Sequence, residues 1–182
     1  MLTPDQKEHL LAVARRAVTR RVTVVGQFDG ELAEALGSEP DASGVFVTLK
    51  LRGELRGCLG TLECQRALSD EVARCAAQSA SEDPRFPPVT PAELPELALE
   101  ISVLGPLEPI DPHQPDAFTV GQHGLVVEQR SRRGLLLPQV AVEWGWTPEQ
   151  FLRQTCVKAG LPAEAWRHDA RVYRFDAEVF GE

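Results

Sequence analysis

The sequence lacks several features that would place it in a functional class at once. No apolar run approaches the roughly 20 residues that a membrane-spanning helix needs, and residues 1–20 are amphipathic and charged, unlike a signal peptide. It has no Walker motif, no Gly-x-Gly-x-x-Gly before a helix, no Gly-x-Ser-x-Gly and no His-Glu-x-x-His. We therefore expect a cytoplasmic protein that does not associate with membranes and has none of these nucleotide, hydrolase or metalloprotease sites.

Basic residues are also scarce. The 19 Lys and Arg residues are outnumbered by 27 Asp and Glu residues, which gives a net charge of -8. This balance argues against a nucleic-acid partner, because phosphate binding requires a basic field. With 182 residues, of which 43% are hydrophobic, the chain is long enough for a single domain with its own core.

Cysteine pairs at metal-binding or redox spacing are absent. The four cysteines stand at positions 58, 64, 75 and 156, with no Cys-x-x-Cys motif and no histidines at zinc-ligand spacing. We expect reduced thiols, no cofactor and no metal. A metal site from Cys58, Cys64 and His123 is a weaker alternative, because structural zinc usually takes four closely held ligands.

The most unusual part of the sequence places two glycines and a cysteine inside a predicted β-strand. It reads Leu55-Arg56-Gly57-Cys58-Leu59-Gly60-Thr61. Glycine weakens strand interiors and often marks the close approach of a ligand or another backbone. Strict alternation buries Leu55 and Leu59 and sets Arg56 beside Cys58 on the opposite face, roughly 7 Å along the strand. A nearby cation favours the reactive thiolate, whereas a buried structural cysteine is the alternative.

Two further stretches hold candidate polar residues. Asp83 and Arg85 lie in Asp83-Pro84-Arg85-Phe86-Pro87-Pro88, a rigid loop whose prolines fix φ and remove backbone donors. A surface turn with an Asp–Arg pair is the alternative for this loop. His123 stands between Gly121 and Gly124, and histidine as a residue type suits acid–base chemistry near neutral pH. An ordinary turn residue is the alternative for His123.

The hydrophobic pattern predicts an α+β fold with antiparallel sheets. Helical spacing and capping boxes predict helices over 4–20, 67–80, 138–144 and 147–158, and a capping box at Thr90-Pro91-Ala92-Glu93 predicts a further short helix. Alternation predicts strands over 44–51, 55–62, 97–104, 125–129, 135–137 and 171–180, with Gly53 at positive φ in a hairpin turn. Residues 22–43 look irregular, with one helical turn over Glu31–Leu36. The connections show no regular βαβ alternation, which favours antiparallel pairing.

Several blocks of the sequence, in order, resemble the AMMECR-type domain, the family also called AmmeMemoRadiSam system protein A. The first is Leu55–Thr61, which differs from the family's Leu-Arg-Gly-Cys-Ile-Gly-Thr only at Leu59. The later blocks are Ser79-Ala80-x-x-Asp83-Pro84-Arg85-Phe86-Pro87-Pro88, Glu93-Leu94-Pro95, Leu99-Glu100-Ile101-Ser102-Val103-Leu104, Gly121-Gln122-His123-Gly124-Leu125 and Leu137-Pro138-Gln139-Val140-Ala141 with Gly145-Trp146. Together they cover roughly residues 44–160, and Gln122 and Gln139 are further mild departures.

The resemblance implies a single two-lobed α+β domain over residues 1–182. Its larger lobe would form from both chain ends around an antiparallel sheet, and its smaller lobe would form from the middle. It also implies that the protein acts alongside a radical-SAM protein and a Memo-type protein. It implies no particular reaction.

Two functional hypotheses remain open at this point. In the first, Cys58 is a nucleophile, Arg56 lowers its pKa or holds an anionic group, and His123 is the general acid or base. Asp83 and Arg85 would then orient a small substrate. In the second, the protein is a binding or adapter module for a small anionic ligand or a peptide, and Cys58 is structural. Ligand contacts in either hypothesis would come from the residues Arg56, Gly57, Gly60, Thr61, Asp83 and Arg85.

Overall fold

The computed structural model describes residues 2–24 and 42–182, which form four α-helices and seven β-strands. The strand pairs set out below are antiparallel and helices flank them, which confirms the predicted α+β class. The described residues fall into two compact units. One contains the described residues up to Leu104 together with Glu178–Glu182, and the other is Gly105–Ala177. The helical turn expected over Glu31–Leu36 lies outside the described residues.

Two helices provide most of the core of the first unit. Helix α1 (Pro4–Thr23) begins at the predicted capping box, in which Thr3 and Gln6 exchange side-chain-to-backbone hydrogen bonds. Helix α2 (Leu68–Ser81) buries almost its whole length. Between them they bury the following residues in one cluster: Leu10, Val13, Ala14, Ala17, Val18, Leu68, Val72, Ala73, Cys75, Ala76 and Ala80.

The sheet of the first unit has the order β2-β1-β3. These strands are β1 (Gly44–Leu51), β2 (Glu54–Thr61) and β3 (Leu97–Leu104). Val45, Val47 and Leu49 of β1 are fully buried in the same cluster as the helices. Residues 46, 48 and 50 alternate with them and therefore lie on the other face of the sheet. A 3₁₀ helix, Pro91–Glu96, leads into β3 from the predicted Thr90 capping box.

A tight turn and a β-bulge set the register between β1 and β2. Arg52 and Gly53 both have positive φ, 54° and 87°, as a two-residue type I′ hairpin requires. Leu51 pairs with Glu54 and Lys50 with Leu55, but Leu49 pairs with Gly57, so Arg56 is the extra residue of a bulge. The prediction that Leu55 is buried was wrong: it shares the face of Lys50 and is 42% exposed.

The second unit is built on β7 (Arg171–Gly181), whose first residues pair with β4 (Glu108–Ile110) on one side and β5 (His123–Gln129) on the other. Strand β6 (Arg132–Leu136) pairs with β5. Helices α3 (Pro138–Glu143) and α4 (Pro148–Lys158) contribute to its core, together with a short 3₁₀ segment at Ala165–Arg167. In the described part of the chain, no helix is both long and apolar enough to span a membrane.

Candidate functional site

Cys58 lies in the middle of β2, the outermost strand of the described sheet in the first unit. Its backbone N–H donates to Asp83 Oδ2 at 2.9 Å, and its carbonyl accepts from Arg85 Nη2 at 3.3 Å. On the outer edge of β2, where no strand of the described residues pairs, the backbone N–H and C=O groups of Cys58 therefore find hydrogen-bond partners in side chains of the proline-rich loop. This ion pair takes the place of a neighbouring strand, which protects the edge from pairing with another chain.

The Cys58 thiol faces away from the helices, next to Thr48 of β1. Thr48 and Cys58 are directly opposite in the register. Because the backbone groups of Cys58 point outward from β1, the two residues form a non-hydrogen-bonded pair, the arrangement that brings side chains closest. The Thr48 hydroxyl donates to Cys58 Sγ at 3.2 Å. The thiol is only half-buried, so a reagent or ligand can approach it.

Asp83 and Arg85 form a two-point ion pair beside Cys58. Arg85 Nε lies 3.0 Å from Asp83 Oδ1, and Nη2 lies 2.7 Å from Oδ2. The Asp83 side chain is 2% exposed, whereas that of Arg85 is 54% exposed. The hydrogen bonds from the Arg85 guanidinium and then from the Cys58 N–H hold the pKa of Asp83 well below its usual range. Asp83 is therefore a buried anchor, and Arg85 presents its charge to solvent.

Arg56, which we expected beside the thiol, donates to a carboxylate and to two carbonyl oxygens of the protein. As the bulged residue, Arg56 is turned towards the 3₁₀ helix, where its Nε binds Glu93 Oε1 at 2.7 Å. Its Nη1 and Nη2 donate to the carbonyl oxygens of Pro87 and Pro88. This guanidinium holds the proline-rich loop in place, and each of its nitrogens donates to a group of the protein. The same bond to Arg56 lowers the pKa of Glu93 to about 2.

Both strand glycines lie against protein atoms. A Cβ at Gly57 would stand 2.2 Å from the backbone oxygen of Ser79 in α2. A Cβ at Gly60 would stand 2.3 Å from the backbone oxygen of Val45 and inside contact distance of the Phe46 ring. The glycines therefore permit close packing on both faces of β2. Thr61, another candidate ligand contact, forms a local turn at the end of β2 through hydrogen bonds with Glu63.

His123 belongs to the second unit, at the start of β5. Its Nδ1 accepts a hydrogen bond from the Thr119 N–H at 2.9 Å, so a neutral ring carries its proton on Nε2. Nε2 lies 3.7 Å from a carboxylate oxygen of Asp176, the residue opposite it on β7. Its side chain is 13% exposed. A shared role with Cys58 stays a prediction.

The other three cysteines differ from Cys58 in their surroundings. Cys75 and Cys156 are fully buried. Burial raises the pKa of Cys75, and likewise of the half-buried Cys64, to about 11, and it also raises that of Cys156. These residues are unsuited to thiolate chemistry at neutral pH. Among the residues that the structure describes, no group of three or more His, Cys, Asp or Glu side chains is placed to hold a metal ion.

Sequence reasoning missed Thr48 and Ser79. The Ser79 hydroxyl is buried between the two strands, where it accepts from the Leu59 N–H and donates to the Val47 carbonyl, both at 2.8 Å. Thr48 could have been found only with the correct hairpin register, which depends on the bulge. Ser79 opens the second block that resembles the AMMECR-type family. The helical spacing around it gave no sign that its hydroxyl would bind backbone groups of β1 and β2.

Comparison with known proteins is consistent with this architecture. The AMMECR1 family model matches residues 11–180. A protein of Methanothermobacter thermautotrophicus is 44% identical, and the match covers 100% of this chain and 96% of that protein. A protein of Thermococcus gammatolerans is 45% identical, and the match covers 96% of this chain and 89% of that protein. The crystal structure of the uncharacterised protein PH0010 from Pyrococcus horikoshii matches with a TM-score of 0.87 at 40% identity, covering 100% of this chain and 93% of that one. The chain therefore belongs to the AMMECR1 family.

Proposed function

We propose that this AMMECR1-family protein binds a small anionic ligand at the exposed edge of β2 and that the Cys58 thiol is the reactive group of the site. One observation carries the proposal: a hydroxyl donates to the half-buried sulfur, and a solvent-exposed guanidinium binds the backbone carbonyl of the same residue. The donor is Thr48, and the guanidinium belongs to Arg85. Both groups interact more favourably with an anion than with a neutral group.

Arg85 replaces Arg56 as the cation of the proposed site. Arg56 is occupied by a carboxylate and two carbonyl oxygens, whereas Arg85 is half-exposed. Within residues 2–24 and 42–182, nothing is hydrogen-bonded to Arg85 Nη1. A carboxylate or phosphate can therefore bind there without displacing Asp83. This supports an anionic ligand that reaches the thiol from the loop side of β2.

His123 is retained in the proposal as the general acid or base. The Thr119 N–H donates to Nδ1, which fixes the orientation of the ring and places the exchangeable proton of its neutral form on Nε2. This role predicts that His123→Gln slows turnover of a reactive ligand while leaving that ligand's binding unchanged.

The test compares two alkylating reagents of similar size and different charge. Iodoacetate is an anion and iodoacetamide is neutral, and both add to a thiolate through carbon–sulfur bond formation with loss of iodide. Because the thiolate fraction is the same for both at a given pH, the ratio of their rates reports the attraction of the site for an anion. We expect this ratio at Cys58 in the folded protein to exceed the ratio in urea-unfolded protein by about threefold or more.

Two variants identify the source of that attraction. Arg85→Gln should return the ratio to the unfolded value, and Arg85→Lys should retain most of the excess because it keeps the charge. Arg52→Gln is the matched control, since Arg52 is an exposed arginine that pairs with Glu96 instead. A ratio that is equal in the folded and unfolded protein would contradict the anionic ligand, and a Cys58 that reacts only after unfolding would contradict the reactive thiol.

The second candidate function is a binding or adapter module in which Cys58 is structural. Two hydrogen bonds favour it, one donated by the Cys58 N–H to Asp83 and one accepted by the Cys58 carbonyl from Arg85, because they give this position a role in the fold. In that case Cys58→Ser would bind the natural ligand as tightly as the wild type. A nucleophilic Cys58 instead predicts a covalent adduct, detectable by mass spectrometry of the intact protein and absent from Cys58→Ser.

Partners and location complete the proposal. The family resemblance supports action alongside a radical-SAM protein and a Memo-type protein, in the cytoplasm. The four cysteines are free, as a reducing compartment would keep them. Sedimentation velocity of the purified protein mixed with each purified partner tests direct association, and unchanged sedimentation at micromolar concentrations would argue against a stable complex.

A further inference from the structure

A row of polar side chains crosses the open face of the sheet at Cys58. Cys58 on β2 is opposite Thr48 on β1, and Thr48 is opposite Glu100 on β3. Cross-strand partners share a face and have Cβ atoms about 5 Å apart. The thiol, the hydroxyl and the carboxylate therefore follow one another across three strands.

Lys50 adds a second charge to this row. It lies two residues from Thr48 on β1, on the same face, and its Nζ binds Glu100 Oε2 at 2.9 Å. The side chains of Lys50 and Glu100 are 38% and 30% exposed, so water and small solutes reach the pair. An ion pair exposed to this degree contributes little to stability, which leaves both charges available to exchange partners with a ligand.

We propose that the Lys50–Glu100 pair belongs to the Cys58 site and selects a zwitterionic ligand of the α-amino-acid class. This inference rests on the proposed function, because it adds a second contact to the same ligand. The ammonium and carboxylate of an α-amino acid are about as far apart as the two charges of an ion pair. The amino acid can therefore replace the Lys50–Glu100 contact with two contacts of its own, one to each side chain. Its ammonium contacts Glu100 and its carboxylate contacts Lys50.

The orientation of such a ligand follows from the row. With its charged end at β3 and β1, the side chain of the amino acid extends over Thr48 towards Cys58 and, beyond β2, towards Arg85. Glu100 and Cys58 are two strand spacings apart, about 10 Å at the backbone. A ligand side chain of two or three carbons therefore spans part of that distance and ends over Thr48, whose hydroxyl lies 3.2 Å from the thiol.

Protection of Cys58 from iodoacetamide tests this inference. The probes are L-glutamate and glutarate, which have the same carbon chain and the same two acids and differ in the amino group. We expect L-glutamate to protect Cys58 at about fivefold lower concentration than glutarate. Glu100→Gln should abolish this preference while leaving glutarate protection unchanged or improved, because Lys50 loses its competing partner.

The control and the outcomes separate this inference from the proposed function. Glu96→Gln removes an exposed carboxylate that pairs with Arg52, and it should leave the preference for L-glutamate intact. Equal protection by both probes in the wild type would overturn the zwitterion and leave the anionic site standing. Failure of both probes, together with equal iodoacetate-to-iodoacetamide ratios in folded and unfolded protein, would overturn both.

Discussion

The carboxylate of Asp83 accepts a hydrogen bond from the backbone N–H of Cys58, with 2.9 Å between Oδ2 and the nitrogen. The same carboxylate binds Arg85 at two points and is almost fully buried. The loop after α2 is thereby joined to the edge of the sheet at the residue that the proposed chemistry uses. A change at Asp83 should consequently affect both the stability of the fold and the position of Cys58.

Asp83→Asn should lower the free energy of unfolding at pH 7 by about 2 kcal/mol, the usual cost of losing a charge-assisted hydrogen bond that is largely buried. Urea denaturation followed by circular dichroism measures the difference. Glu96→Gln, which removes an exposed carboxylate, serves as the control and should unfold near the wild-type midpoint. Equal midpoints for Asp83→Asn and the control would show that the ion pair does not hold the edge of β2.

The Arg56–Glu93 pair predicts a pH dependence of stability. The pKa of Glu93 is lower in the folded protein, about 2, than its ordinary value of 4.5, because Arg56 and then the Thr90 N–H hydrogen-bond to its carboxylate. The folded state therefore holds fewer protons. This contribution is fully present above pH 4.5 and is lost as the pH falls through 2.

Glu93→Gln tests the assignment of that dependence to one carboxyl group. The variant should be less stable than the wild type by about 1–2 kcal/mol at pH 7, after allowance for solvent screening. The difference should shrink steadily between pH 4.5 and pH 2 in urea titrations. A difference that is constant over this range would mean that the Arg56 hydrogen bond does not favour the charged form of Glu93.

Simple alternation along β2 correctly predicted which residues face the open side of the sheet from Gly57 onward. It gave the wrong face for Leu55, which precedes the bulge. A two-residue turn continued without a bulge would pair Cys58 with Val47, on the core face, whereas the extra residue at Arg56 pairs it with Thr48. Helices, strands and caps were readable because they depend on spacing within a segment. The bulged residue, Arg56, instead contacts Glu93, which is 37 residues away, and no local pattern reports such a contact.

The same limit explains the glycines. Their presence in a strand was correctly interpreted as a sign of close approach, but the approaching atoms belong to α2 and β1. The sequence supplied Cys58, Asp83 and Arg85 as candidates that lie together in the structure. Thr48 could not be predicted from the sequence, because its contact with Cys58 depends on the strand register that the bulge sets.

Gly57→Ala should strongly destabilise the first unit. The added methyl carbon would lie 2.2 Å from the Ser79 carbonyl oxygen, a backbone atom that can move only if α2 shifts away from β2. We expect a loss of about 3 kcal/mol or more, as for other severe overpacking. Gly105→Ala is the matched control, since its nearest neighbour would be at 3.4 Å. Thermal unfolding of both variants gives the comparison, and a small loss at Gly57 would indicate that α2 is not held close to the strand.

The four cysteines should react with iodoacetamide in a fixed order in the folded protein. At pH 7.5 we expect Cys58 to be labelled first, because it is half-buried at an open sheet face, and Cys75 and Cys156 to be labelled only on unfolding, because they are fully buried. Cys64 is half-buried as well, but burial raises its pKa to about 11. Its labelling rate should therefore rise about tenfold for each pH unit between 7 and 10, in proportion to its thiolate fraction.

Peptide mass spectrometry after timed quenching measures all four rates at once, with Cys64 as the internal reference for an unactivated thiol. Labelling of Cys64 ahead of Cys58 at pH 7.5 would remove the structural reason for choosing Cys58 as the reactive residue.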